Sequence, residues 1–173
     1  MEPSVFRSLL GPQLDEVGGA LRRFSDVPQS AEGSLTVTHH PGRMARFFIK
    51  ILKLPAAGTL LPTRIAVQSN PQREIWQRSI GRSRLRTQHR AVGTYLEERV
   101  GLFRFLHQIY VENGAMKYHQ EKVFLLGIPL PHTFSPIIDA TASGDEKGWE
   151  LDLTVSCPRC GPICQYKGWI EPK

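Results

Sequence analysis

Residues 63–169 alternate apolar and polar side chains in short segments, broken by turn-forming residues at roughly ten-residue spacing, and this period of two confines the chain to a β-rich fold. Within 64–69, Ile65 and Val67 share a face; within 74–80, Trp76, Arg78 and Ile80 do. Leu85, Thr87, His89 and Ala91 then oppose Arg84, Arg86, Gln88 and Arg90. Asn70-Pro71, and Gly81 with Ser83, punctuate these segments as turns. Strands over 95–100 and 102–111 follow, Glu112-Asn113-Gly114 signals a hairpin, and 115–124 returns. Gly127-Ile128-Pro129-Leu130-Pro131 breaks the sheet, because two prolines two apart leave a central strand without ladder donors. Strands at 136–142, at Trp149, Leu151, Leu153 and Val155, and at 163–170 bring the count to about nine. Such a meander hides its edges best by curling into a barrel or half-barrel.

The N-terminal part reads differently. Leu10, Leu14, Val17, Leu21 and Phe24 recur at helical steps after Gly11-Pro12, with Gly18-Gly19 weakening the segment. Residues 25–34 read as a loop and 35–39 as a short strand. A second helix follows His40-Pro41-Gly42, with Met44, Phe47, Phe48, Ile51 and Leu52 as one wide apolar stripe; Arg43, Arg46, Lys50 and Lys53 fill the rest, and Pro55 ends it. The expected fold is α+β and predominantly antiparallel β: a curved sheet with two N-terminal helices, one packed on or plugging it. Residues 1–34 belong to the same single domain as the β-rich 35–173, since 173 residues suffice for one proper core. No apolar run approaches the roughly 20 residues of a spanning helix, and Met1-Glu2-Pro3-Ser4 lacks a charged-then-apolar leader, so a cytoplasmic protein is expected.

Polar residues on inward-phased positions are the main functional signal, because a purely structural core favours aliphatic side chains there. Arg78 shares its face with Trp76 and Ile80, and His107 shares one with Phe103, Phe105, Ile109 and Val111. A buried guanidinium requires a carboxylate, and Glu98 is the expected partner, on a neighbouring strand. Two readings stay open. Arg78 and Glu98 form an internal ion pair that fixes the barrel register, or Arg78 anchors the acidic head of a small amphipathic ligand walled by Trp76, Phe103, Phe105, His107 and Tyr118. An accessory domain docking a partner enzyme, and an enzyme using the same cavity, are the alternatives. The chain has no glycine-rich phosphate loop, nucleophile elbow or HExxH, so no catalytic residue is assigned.

Three further groups carry weaker chemistry. Cys157 and Cys160, with Cys164, offer three sulfurs for zinc where four ligands are needed, leaving His132 or His119 to complete a site; a turn with buried thiols explains them as well, and no cofactor is expected. His39, His40, Arg43 and Arg46 could hold an anion at the start of the second helix. Arg82, Arg84, Arg86 and Arg90 form a basic stripe, and the formal charge is +6, but no aromatic RNA motif accompanies them, so nucleic acid is not an expected partner.

Several pieces in this order resemble the bacterial family catalogued as domain of unknown function 4166. They are Gly42, Ala45-Arg46, Leu54-Pro55, Gly58, Glu74, Trp76, Arg78, Glu98-Arg99 and Gly101, then Gly127, Pro129-Leu130-Pro131, Pro136, Tyr166, Gly168 and Trp169. The chain departs from the pattern at His39-His40, where a basic-glycine pair is usual, and in its cysteine cluster. The resemblance implies a folded domain found alone or attached to dehydrogenase-like or membrane proteins, hence a possible dehydrogenase-like partner, and it implies no chemistry.

Overall fold

The computed structural model describes residues 4–27, 30–70 and 73–173. Pro71 of the expected Asn70-Pro71 turn, Pro28 of the expected loop and Met1-Glu2-Pro3 lie outside the described residues. The strands are β1 (Ser30–His39), β2 (Gly58–Asn70), β3 (Arg73–Ile80), β4 (Ser83–Val92), β5 (Tyr95–Val100), β6 (Phe103–Glu112), β7 (Ala115–Leu125), β8 (Ile128–Pro129), β9 (Ile137–Gly144), β10 (Trp149–Cys157) and β11 (Gly161–Pro172). All pairings are antiparallel. Ten strands close a ring in the order β1 to β7, then β9, β10 and β11 back to β1, while β8 is a two-residue appendage of β7. The expected barrel of about nine strands is therefore a closed barrel of ten.

Tight hairpins set the register. Gly81, Gly93 and Gly101 take left-handed backbone at the first central position of their two-residue turns, where an L side chain is disfavoured. Asn113-Gly114 is left-handed at both positions, as its Asn-Gly pair demands. Closure falls on β1 and β11, where Leu35 faces Gly168. A Cβ at Gly168 would lie 2.1 Å from the Ser34 carbonyl oxygen, so the seam closes only with glycine there.

The N-terminal segment plugs one end. It is not one helix: α1 (Val5–Leu10) passes through a 3₁₀ turn (Gly11–Glu16) to α2 (Gly19–Asp26). Pro12 withholds a backbone donor, and Gly18 sits so close to the Gly144 carbonyl that the chain must re-aim there. Leu10, Leu14, Val17, Leu21 and Phe24 are nevertheless all buried. Phe6 meets the rings of Trp76 and Tyr118 edge-on, and Phe24 lies between Trp76 and Trp149. The expected loop over 25–34 is shorter than the sequence suggests, since β1 starts at Ser30 and pairs on both sides.

At the opposite end, α3 (Arg43–Ile51) leans on β11. Only Ala45 and Phe48 of the helix are buried, with Leu52 just beyond it; Met44, Phe47 and Ile51 of the expected core stripe are exposed. The helix crosses the ends of the strands, so it covers part of the barrel and leaves half of its apolar face uncovered. The plug is formed by α1 and α2 instead.

Gly168→Ala should lower unfolding stability by about 1–3 kcal/mol, the usual cost of forcing extra volume against backbone. Denaturant titration checks this, with the exposed turn glycine Gly93→Asn as a control that should change little.

Candidate functional site

The register brings one polar residue from each of several strands to the same inner patch. On β3, Glu74 and Arg78 flank Trp76 on the inner face; Glu74 faces His89 across to β4, and His89 faces Glu98 across to β5. Glu98 and Leu96 then face Phe105 and His107 of β6. Glu98 lies two strands from Arg78 rather than on the neighbouring one, with His89 between them.

Glu98 is the centre. Its Oε1 accepts from Arg78 Nη1 at 3.2 Å and from His89 Nε2 at 3.1 Å, and its Oε2 lies 3.4 Å from His107 Nε2. A carboxylate only accepts, so the hydrogen of His89 sits on Nε2, and Thr87 Oγ1 lies 3.2 Å from the same nitrogen. Trp76 stacks on the His89 ring at 5.0 Å, and the Arg78 guanidinium lies 5.0 Å from the Trp76 ring centre. Burial pushes His89 below its ordinary value and the Glu98 charge only partly opposes this, so the imidazole stays neutral. Burial works against the Glu98 carboxylate too, but the flanking imidazoles and the Arg78 guanidinium outweigh it and hold Glu98 well below the usual range. The cluster is thus an ionised carboxylate with one guanidinium and two imidazoles around it.

Glu74 has a separate task. It is fully buried, with one oxygen accepting from the Val5 N–H at the start of α1 and the other from Trp76 Nε1. It ties the plug to the barrel wall and orients the indole. On the outer face, Glu97 is equally buried and takes Arg90, Arg99 and Arg104 within 2.7–3.5 Å. Adjacent glutamates therefore anchor opposite faces of β5.

Beside the cluster lies a cavity of about 180 Å³. Trp76, Arg78, Glu98, Phe105, His107 and Tyr118 all line it; Phe103 does not, because it stacks behind Phe105 as core. The remaining wall is apolar, with half-buried Leu85, Val100, Ile138, Leu151 and Leu153. Arg78 is 23% exposed and Glu98 14%, so the ion pair is formed but is not sealed in. Nδ1 of His89 and of His107 have no hydrogen-bond partner among the described residues, an uncommon state for buried polar atoms. Sequence reasoning passed over His89 and Glu74. Both were findable: the two-residue turns at Gly81 and Gly93 place His89 opposite Glu74 and Glu98 by counting.

The other candidates do not assemble. His39 Nε2 donates to the Pro55 carbonyl at 2.8 Å, tying β1 to the chain after α3, while Arg43 and Arg46 are exposed and gather no pocket with His39 and His40. Cys157 and Cys160 thiols approach to 3.0 Å across their turn, with Cys164 buried separately; among the described residues no three His, Cys, Asp or Glu side chains are placed to hold a metal ion. The hydrogen bond from Cys157 pushes the Cys160 thiol up to about 11 and burial does the same for Cys164, so neither is a ready thiolate. His119 pairs with Asp139 on the outer face, and His132 is exposed. Arg82, Arg84, Arg86 and Arg90 all face outward.

The family model described as domain of unknown function 4166 matches residues 20–170, and the chain belongs to that family. No curated protein matches the sequence. Among solved structures, the chain is similar to a protein of unknown function of the DUF3598 family from Nostoc punctiforme, with a TM-score of 0.52 at 9% identity; 93% of this chain is covered, and it spans about half (49%) of that one. A secretary abundant heat soluble protein from Ramazzottius varieornatus matches with a TM-score of 0.46 at 12% identity, over 84% of this chain and 93% of that one. The first likeness supports the barrel fold.

Two outcomes follow from the Glu98 cluster. Glu98→Gln should lower stability by about 1–3 kcal/mol, because it leaves Arg78 facing neutral groups in a partly desolvated site. Stability should also fall with acid in two stages. Below 6.5, the ordinary histidine value, the unfolded chain takes a proton that buried His89 resists; below 4.5 it also takes one that Glu98 resists. Melting temperature against pH reads both, and His89→Gln should flatten the first stage alone.

Proposed function

We propose that this member of the domain of unknown function 4166 family binds a small amphipathic molecule whose polar head carries a carboxylate or a comparable hydrogen-bond acceptor. The observation that carries the reading is Arg78 at the edge of an apolar cavity with its donors only partly used. One N–H goes to Glu98 and a second nitrogen lies 3.5 Å from His89 Nε2, so the rest of the guanidinium fork is available to a ligand. The size of the cavity selects the ligand. About 180 Å³ is smaller than the roughly 300–1,000 Å³ of drug-sized sites but above the ~150 Å³ that accepts benzene. A single ring or a short acyl chain fits, while a long lipid tail requires the walls to move.

A second reading has its own support. The imidazoles of His89 and His107 flank an ionised carboxylate at the cavity wall through their Nε2 atoms, a set of groups suited to moving a proton on a bound ligand. In that case the ligand is a substrate, and the same residues hold it.

Native mass spectrometry of protein purified from its host should show a retained small molecule, and titration with hexanoate or benzoate should change Trp76 fluorescence. Arg78→Leu should keep the fold and weaken that binding roughly 10–100-fold, as expected for a lost charge-assisted hydrogen bond. Protein without a ligand that also ignores both carboxylates would overturn the reading.

A further inference from the structure

The end of the barrel opposite the plug differs from the rest of the surface in two independent ways. It concentrates the exposed apolar side chains: eight of the twelve large exposed ones among the described residues lie there. Leu60, Leu102, Leu126, Ile128 and Phe134 come from the start of β2 and from the loops joining β5 to β6 and β7 to β9. Met44, Phe47 and Ile51 form the uncovered stripe of α3, which joins β1 to β2 at this same end. The loops form a connected rim. The Leu126 N–H donates to the Leu102 carbonyl, Gly81 to Pro62, and Arg159 lies over the Phe134 ring.

Charge sets this end apart as well. The stretches that build this end, residues 40–61, 81–85, 100–104, 124–137 and 157–163, contain eight lysines and arginines and no aspartate or glutamate. Arg43, Arg46, Lys50 and Lys53 flank the apolar stripe of α3, with Arg82 and Arg159 on neighbouring turns. The plugged end is mixed instead: Asp15, Asp26, Glu112 and Glu146 are paired there with Arg7, Arg23 and Lys117.

The backbone adds a third observation. Leu60 and Leu126 are the two most exposed large apolar residues, at 69% and 70%, and both hold left-handed backbone, at φ 47° and 52°. Leu60 sits in a bulge, where Thr59 and Leu60 together oppose Thr36 between the pairs Leu35 with Leu61 and Val37 with Gly58. Leucine tolerates this conformation poorly, and burial does not repay it here, because both side chains point into solvent.

We propose that this rim docks on an anionic lipid surface, with the leucine and phenylalanine tips entering the headgroup layer and the basic residues around them facing lipid phosphates. Separate tips ringing a mouth suit a deformable, flat, negatively charged partner; a protein partner would more naturally meet a single groove. The contact proposed is made by rim side chains alone; no helix of the described residues is long and apolar enough to cross a membrane. The cavity reading is not needed for this inference, although docking here would bring the half-buried Arg78 side of the cavity towards the membrane.

Sedimentation of the full chain with phosphatidylcholine vesicles, with and without about 30% phosphatidylserine, tests this. Binding should require the anionic lipid and weaken as salt rises. Leu102→Asp with Leu126→Asp should weaken it about tenfold or more, while the circular dichroism and hexanoate response stay as in the wild type, because neither leucine lines the cavity. Arg46→Glu with Lys50→Glu should abolish it by an independent route. The proposal is overturned if no vesicles are bound at low salt. It is equally overturned if the double leucine variant binds like wild type, which would mean simple adsorption of a basic chain. A third contrary result is a concentration-dependent dimer that the leucine variant abolishes without any vesicle binding; the rim would then join two copies of this chain.

Discussion

One ionised carboxylate inside the barrel, Glu98, organises everything chemical around it. A charge taken from water into an apolar interior is tolerable only with partners, and here Arg78, His89 and His107 supply them from β3, β4 and β6. The strands that carry these groups cannot slip by one residue without turning each of them outward, so the cluster and the register support one another. Glu97 does the same on the outer face with three arginines. The barrel wall from β3 to β6 is thus pinned on both sides by charge, whereas the β10–β11–β1 wall relies on apolar packing and a close glycine seam.

The same cluster explains why the interior is not filled. Aliphatic residues in its place could interdigitate with Leu151, Leu153 and Ile138; a guanidinium and two imidazoles held by a carboxylate cannot close the gap, and a cavity remains beside them. Around this centre the two ends of the barrel are unequal. One is sealed by α1 and α2, with Glu74 as the tie; the other is rimmed by apolar tips and basic residues.

Much of this was legible in the sequence. The period-two pattern from Thr63 onward was enough for the barrel, and the shared phase of Trp76 and Arg78 led to Glu98, whose ion pair is present. What could not be read has physical causes. The apolar stripe of α3 looks like a core face by spacing alone, and only the position of the helix across the strand ends leaves Met44, Phe47 and Ile51 uncovered. The first helix breaks because Gly18 must approach the β9–β10 turn, a tertiary demand with no local signature. Phe103 shares the phase of Phe105 but stacks behind it, a difference of depth that period cannot report. His89 was within reach, since hairpin turns of known length give cross-strand partners by counting, and only the pairing with Glu74 and Glu98 distinguishes it from an ordinary core histidine.

The central claim is that a neutral His89 and an ionised Glu98 line a cavity that a small acidic molecule can reach. Long-range nitrogen–proton NMR of the imidazole rings tests it in the intact protein. The account predicts that His89, with its hydrogen on Nε2, takes up a second proton only at a lower pH than an ordinary histidine, and that the His89 and His107 nitrogens shift when hexanoate is added. A His89 that is protonated at or above the ordinary histidine range, with imidazole signals indifferent to the carboxylate, would contradict it.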